Sequence, residues 1–273
     1  MITVSGSSFD VPALMDEYPQ NSVERQLLAT MSQSPENYRF DSPQQLRFEL
    51  RMRREIVDAA YALDQSRFSF ATFHKSRANP KYWERTENGG FRLKDGVSPS
   101  AAIEDIFTYG VAYATECATA MIIIYYKALI GVFGRELFDE LFPNIYLMNW
   151  HVVDPLLRTV GMPRKVTDIL LGDRGYFDNP DVDPKTPEWQ GENVIVLPGD
   201  LYYGHGIGIR GADDMIRSLN GNRRRNATRS AYFRDVVGRP DFKQLAAIQR
   251  RYTARSAPLV WNFPPALQRT AGG

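Results

Sequence analysis

Cysteine is almost missing from this sequence: one residue, Cys117, in 273. A lone cysteine excludes an intramolecular disulfide framework and a cysteine-rich zinc site. It fits a reducing compartment. Histidine is nearly as scarce, at three residues: His74, His151 and His205. Neither charge is in excess, since 33 Lys and Arg against 32 Asp and Glu leave a net +1. No global pull toward nucleic acid or an anionic bilayer is therefore expected. No apolar run approaches the ~20 residues that span a bilayer, and the longest stops at Lys127. The opening MITVSGSSFD has neither the basic start nor the apolar stretch of a signal peptide. These absences lead to the expectation of a soluble, cytoplasmic protein with no nucleic-acid and no membrane partner. Phosphate loops and dinucleotide fingerprints are missing too. DNPDVDPK has the acids of a calcium loop but not its central glycine and terminal glutamate.

Hydrophobic residues make up 43% of the chain and charged residues 24%, the balance of a chain that buries a real core. Residues 1–40 are mixed and polar and are expected to be irregular, with room for one short helix. DSPQQLRFELRMRREIVDAAYAL then carries a helix signature: Ser42 as N-cap, Pro43 inside, Gln45 completing a capping box. Its RMRRE run reads as a solvated face. RFSFATFHKS reads as a strand, and Asn88-Gly89-Gly90 as the turn of a hairpin. Ser98-Pro99 opens a helix that Gly110 ends. Residues 115–134 form the central helix, and RELFDELF a short one stopped by Pro143.

The character then changes. IYLMNWHVV, ENVIVLPGD and LYYGHGIGI are rich in β-branched and aromatic residues and read as strands of one sheet. GADDMIRSLN returns to helix, and RSAYFRDVV and DFKQLAAIQRRY are read as two more. NGNRRRNATR reads as a solvated basic loop. The proline-rich tail SAPLVWNFPPALQRTAGG is expected to lack regular structure. Helices first and a sheet later predict an α+β domain with a central antiparallel sheet and helices packed around it.

Cys117 stands at the lip of the apolar run TECATAMIIIYY. It can be a small core residue, as free cysteines usually are. It can equally be a nucleophile in the first turn of a helix capped by Thr115, where unpaired N–H groups favour a thiolate. A nucleophile needs a base within reach. His205, between Gly204 and Gly206 in YYGHGIGI, is one candidate. Glu192, at the mouth of the ENVIVL strand, is another. Glu116, directly before the cysteine, would raise the thiol pKa yet could accept its proton.

TECATAMIIIYYKALI, WQGENVIVLPGDLYYGHGIGI, FATF and NWH together resemble the bacterial, Bacillus spore-type transglutaminases, the protein-glutamine gamma-glutamyltransferases. The resemblance runs from MITVSG to about Tyr232, and the chain extends beyond the Bacillus pattern after about residue 235. It implies a single catalytic domain over residues 1–273 with a papain-like core, and action without calcium, other metal or cofactor. The implied chemistry joins protein substrates bearing glutamine and lysine by isopeptide cross-links, in the family's case in the spore coat. By the same resemblance Cys117 matches the nucleophile, Glu192 the catalytic carboxylate, Glu116 a second glutamate sharing that role, and His205 a proposed partner. Phe70, Trp150 and Trp189 match aromatic residues lining the substrate passage, and backbone N–H groups at the helix terminus suit an oxyanion hole. Two other readings remain: a papain-like amidase or peptidase giving its acyl group to water, and a non-catalytic coat protein with Cys117 in the core.

Overall fold

The computed structural model describes residues 1–150 and 152–256; His151 and the tail 257–273 lie outside the described residues. The helices are α1 (Val11–Met15), α2 (Val23–Gln33), α3 (Pro43–Gln65), α4 (Pro99–Thr108), α5 (Cys117–Phe133), α6 (Arg135–Leu141), α7 (Ala212–Asn220) and α8 (Phe242–Ser256). The caps follow the sequence signals. Ser42 Oγ accepts the Gln45 N–H at 3.2 Å, and Gln45 Oε1 reaches back to the Asp41 N–H at 2.7 Å. Ser98 caps α4 in the same way.

Helix α5 organises the molecule. Every residue in it except Cys117, Lys127 and Gly131 is buried. A helix apolar all round has to be enclosed on all sides, and α3, α4 and the sheet enclose it. Gly131 lets α3 approach closely: a Cβ there would stand 2.2 Å from Glu55 Oε2.

The main sheet has five antiparallel strands, in the order Gly208–Gly211, Leu201–Gly204, Gly191–Leu197, Arg174–Asp178, Tyr232–Phe233. Its middle strand, Gly191–Leu197, is buried at every position. Alternate side chains serve two cores. Ile195 and Leu197 join the large core around α5, while Val194 packs with Met215 and Leu219 of α7. The mixed α+β single domain expected from the sequence is present.

Several local expectations differ. Residues 1–40 are not irregular: they hold α1, α2 and the strands Ile2–Val4, Ser7–Ser8 and Tyr38–Phe40. Ile2, Val4, Leu14, Leu27 and Leu28 close a small core of their own against Leu46 and Leu50 of α3. Tyr146–Leu147 is not part of the main sheet. It pairs with Phe91–Leu93 of the predicted hairpin. RSAYFRDVV is not a helix, because Phe233 is drawn onto the rings of Phe177 and Tyr202, at 4.8 and 5.2 Å between centroids, in a strand at the sheet edge. RMRRE is a solvated face only in part: Arg51 is exposed, but Met52 and Arg53 are buried. Arg53 is 1% exposed, bonded to Glu49 and Asp173 at 2.9 Å each and stacked on Phe242 of α8.

The basic loop and the acidic DNPDVDPK segment turn out to be partners. Asp181 is buried and accepts the backbone N–H groups of Thr228 and Arg229, both at 2.9 Å, and the side chains of Arg224 and Arg229. Those hydrogen bonds hold its carboxyl well below the usual carboxylate range. Among the described residues no helix is long and apolar enough to cross a membrane.

Candidate active site

The site is assembled where α5 begins. The N-cap is Glu116 and not Thr115, so Cys117 is the first helical residue. Glu116 accepts the N–H groups of Ala118 and Thr119 and the Thr119 hydroxyl, so both its oxygens are engaged. Thr119 Oγ1 in turn accepts the Asn149 N–H at 2.8 Å, which fixes the segment leading to Trp150. Thr115 instead sits in a short parallel pairing with Phe70, and this sets Phe70 beside the start of the helix.

Across from α5, the middle strand brings Glu192 and Asn193. Asn193 Nδ2 donates to Cys117 Sγ at 3.3 Å. Its amide is oriented from behind by Arg174, whose Nη1 donates to Asn193 Oδ1 at 3.0 Å. The Arg174 guanidinium lies 4.8 Å from the Trp150 ring centroid. Glu192 is buried, and its Oε1 has no hydrogen-bond partner. Room for this side chain comes from Gly204 on the neighbouring strand: a Cβ there would be 2.9 Å from Glu192 Cγ. Gly206, at φ +105°, clears Phe70 in the same manner. The glycines flanking His205 therefore make space for Glu192 and Phe70.

His205 itself is buried, with both ring nitrogens engaged. Nε2 lies 3.2 Å from the Ser69 carbonyl, and a carbonyl can only accept, so the proton is on Nε2. Nδ1 then accepts from the Tyr203 hydroxyl at 3.1 Å. The Phe68 ring stacks 4.6 Å from the imidazole. Phe70, Trp189, Glu192 and His205 share the walls of one pocket of about 50 Å³. Trp189 is held there by Asn179, whose Nδ2 donates to the Trp189 and Leu219 carbonyls at 3.0 Å each. Trp150 lies outside that pocket and belongs to the Arg174 side of the cysteine.

The electrostatics disfavour charge. Burial pushes the Cys117 thiol up, with the Glu192 and Glu116 carboxylates adding to the rise and Asn193 opposing it, to about 12. Burial also pushes the Glu192 carboxyl well above its ordinary value, against a hydrogen bond from the His205 backbone. Burial lowers the His205 imidazole to about 4, so it is neutral at physiological pH. The expectation that a helix N-terminus would favour the thiolate fails on magnitude. A first-turn dipole effect is worth about 0.3–1 kcal/mol, and enclosure beside two carboxylates exceeds that.

Sequence reasoning passed over Asn193 and Arg174. The available signal was an asparagine inside ENVIVL, a polar side chain in the middle of a strand apolar enough to be wholly buried.

A half-buried thiol at a helix start, facing a carboxylate and an amide from a central strand, is an acyl-transfer arrangement. The family model for protein-glutamine gamma-glutamyltransferase matches residues 1–249. The chain belongs to this family. It is 42% identical over 256 residues to a protein-glutamine gamma-glutamyltransferase of Bacillus cereus (strain B4264), covering 93% of this chain and 90% of that one. With the enzyme of the same name from Bacillus mycoides (strain KBAB4) it shares 43% over 244 residues, 89% of this chain and 87% of that. Its fold matches the transglutaminase from Geobacillus stearothermophilus (without C-terminal extension). That match has a TM-score of 0.71 and 45% identity, over 76% of this chain and 98% of that one. The chain is an acyltransferase of the transglutaminase type.

Proposed function

We propose that Cys117 attacks the side-chain carboxamide of a protein-bound glutamine, with Glu192 as its principal proton acceptor. One observation carries this reading: beside the only thiol stands a buried carboxylate oxygen, Glu192 Oε1, with no partner of its own. As the sulfur–carbon bond forms, the thiol proton moves to Glu192. The carbon–nitrogen bond then breaks, and the same proton leaves on ammonia. The thioester that remains is opened by a lysine amine, whose surplus proton passes through Glu192 back to the departing sulfur. The product is an ε-(γ-glutamyl)lysine isopeptide bond.

The developing oxyanion needs donors. Ala118 and Thr119 N–H are committed to Glu116, so we assign this role to the Cys117 N–H and the Asn193 amide. Glu116 is then chiefly the cap that holds the nucleophile's turn, with a minor share in proton transfer. Phe70 and Trp189 on one side and Trp150 on the other keep water from the thioester. His205 packs the pocket as a neutral ring. No step calls for calcium or a cofactor. The relatives' name, protein-glutamine gamma-glutamyltransferase, supports a protein-bound glutamine as the acyl donor; a lysine-bearing protein as acceptor, synthesis in the cytoplasm and action at a spore coat surface belong to the proposal.

The test is incorporation of a fluorescent primary amine into casein with chelator present. Cys117→Ala should abolish it, and persistent labelling in that variant would overturn the reading. Mass analysis of the glutamine product separates amine transfer from hydrolysis, since the hydrolase alternative yields only glutamate.

A further inference from the structure

Arg174 is a buried cation to which the reaction above gives no part. It is 4% exposed, on the strand beside Glu192 and Asn193. Among the described residues no carboxylate lies within ion-pair distance of it. Arg53, the other deeply buried arginine, is by contrast neutralised by Glu49 and Asp173. An unneutralised buried guanidinium is costly unless its field is used. Its neighbours show where the field goes. Nε donates to the Val160 carbonyl at 3.0 Å, Nη1 donates to Asn193 Oδ1 at 3.0 Å, and the cationic plane rests on Trp150. The Asn193 amide, polarised from its oxygen end, then presents Nδ2 to Cys117 Sγ at 3.3 Å.

We propose that Arg174 is the counter-charge of the Cys117 thiolate, acting through the Asn193 amide, and that it positions both that amide and Trp150. The geometry has two consequences. The guanidinium fixes which end of the Asn193 side chain meets the sulfur, because an arginine can only donate and must face the amide oxygen. It also supplies positive potential where the transient anion forms, in a site whose two nearest carboxylates do the reverse. Burial lowers the Arg174 guanidinium below its ordinary value, and attraction to the Tyr125 hydroxyl and then to the Cys117 sulfur opposes that fall. The role is indirect, so Arg174 is a positioning residue.

This inference rests on Cys117 being the nucleophile, and its test is chosen to fail separately. Cys117 is the sole cysteine, so iodoacetamide alkylation of the native protein reports one thiol. At a fixed pH well below the thiol pKa, the rate tracks the thiolate fraction, and with it that pKa, whether or not any acyl transfer occurs. Arg174→Gln should raise that value by about one unit, a roughly tenfold slower alkylation at a fixed pH below it. Arg174→Lys keeps the charge but cannot hold the Val160 carbonyl and the Asn193 amide together. It should recover only part of the alkylation rate that Arg174→Gln loses and still cut amine incorporation at least fivefold. A merely structural arginine would lower melting temperature in both variants and leave both alkylation rates unmoved. A folded Arg174→Gln protein with the wild-type rate overturns the proposal. If that variant does not fold, Arg174→Lys with undiminished incorporation overturns it instead. Retained transfer in Cys117→Ala would sink the nucleophile reading by itself, whatever the alkylation shows.

Discussion

Replacing Glu192 by glutamine is the most decisive single change, because shape is kept and only the proton acceptor is lost. The two glutamates near the thiol are not equivalent. Glu116 has three donors on its two oxygens, whereas Glu192 Oε1 has none. A positioned general base contributes about 10²–10⁴ in rate, or about 2.7–5.4 kcal/mol. Glu192→Gln should therefore lower kcat for amine incorporation by at least a hundredfold. Glu116→Gln should cost about tenfold or less, together with about 1 kcal/mol of helix-cap stability.

Stability supplies an independent sign. The folded pKa of Glu192 lies above its unfolded value. Its contribution is thus fully present below the unfolded pKa and is lost as pH rises through the folded one. Above the ordinary value the unfolded chain gives up this proton while the native one holds it more tightly, so the parent loses stability as pH rises, and the glutamine variant has no such proton. Each unit of upward shift is about 1.4 kcal/mol, or about 2–4 °C in melting temperature for a chain of this size. Calorimetry should find Glu192→Gln more stable than the parent at pH 8 and equal to it near pH 4. A variant that keeps over a tenth of the activity, or whose stability difference is the same at both pH values, refutes the assignment.

Two further outcomes follow from the geometry. His205 has a folded pKa of about 4 against an ordinary 6.5. It contributes stability above the unfolded value that is lost as pH falls through 4, in all about 3 kcal/mol. Urea midpoints should fall over that window in the parent and less in His205→Asn, while the pH–rate profile keeps its shape. A limb near 6.5 that vanishes in the variant would make His205 a titrating base instead. Gly204→Ala places a methyl 2.9 Å from Glu192 Cγ and 3.3 Å from Met215 Cε. It should reduce kcat at least tenfold by displacing the carboxylate, and an unchanged rate would mean that Glu192 does not act from this position.

The long helices were legible because each carries its own punctuation. Ser42 and Ser98 cap as read, and α5 announces its burial by having no polar face. Short elements were not legible, since three-residue strands such as Tyr38–Phe40 take their register from distant partners. The role of RMRRE was hidden for a related reason: Asp173 lies 120 residues from Arg53, and no local pattern reveals such a partner. Cys117 and Glu192 stood out by residue type and by the flanking apolar runs. Asn193 and Arg174 did not, because an asparagine in a strand and an arginine two residues after Gly172 have no motif. Only the pairing of Arg174–Asp178 with Gly191–Leu197 brings them together. Thr115 was misread as the cap because a glutamate serves less often than threonine in that position.

The upward shifts at the site bear on how proton transfer is made easy. A thiol at about 12 facing a carboxylate of ordinary value, 4.5, would give up its proton against a gap of 7.5 units, about 10 kcal/mol. That alone would consume most of a typical enzymatic barrier. Burial of Glu192 narrows the gap from one side, because a carboxylate pushed upward is a stronger base. Arg174, through Asn193, narrows it from the other by favouring the sulfur anion. Every unit gained from either side removes about 1.4 kcal/mol. The two devices are also separable, since one acts on the acceptor and the other on the donor. Combining Arg174→Gln with Glu192→Gln should therefore lower thioester formation by more than either change alone. In the double variant the thiol must ionise with neither base nor counter-charge.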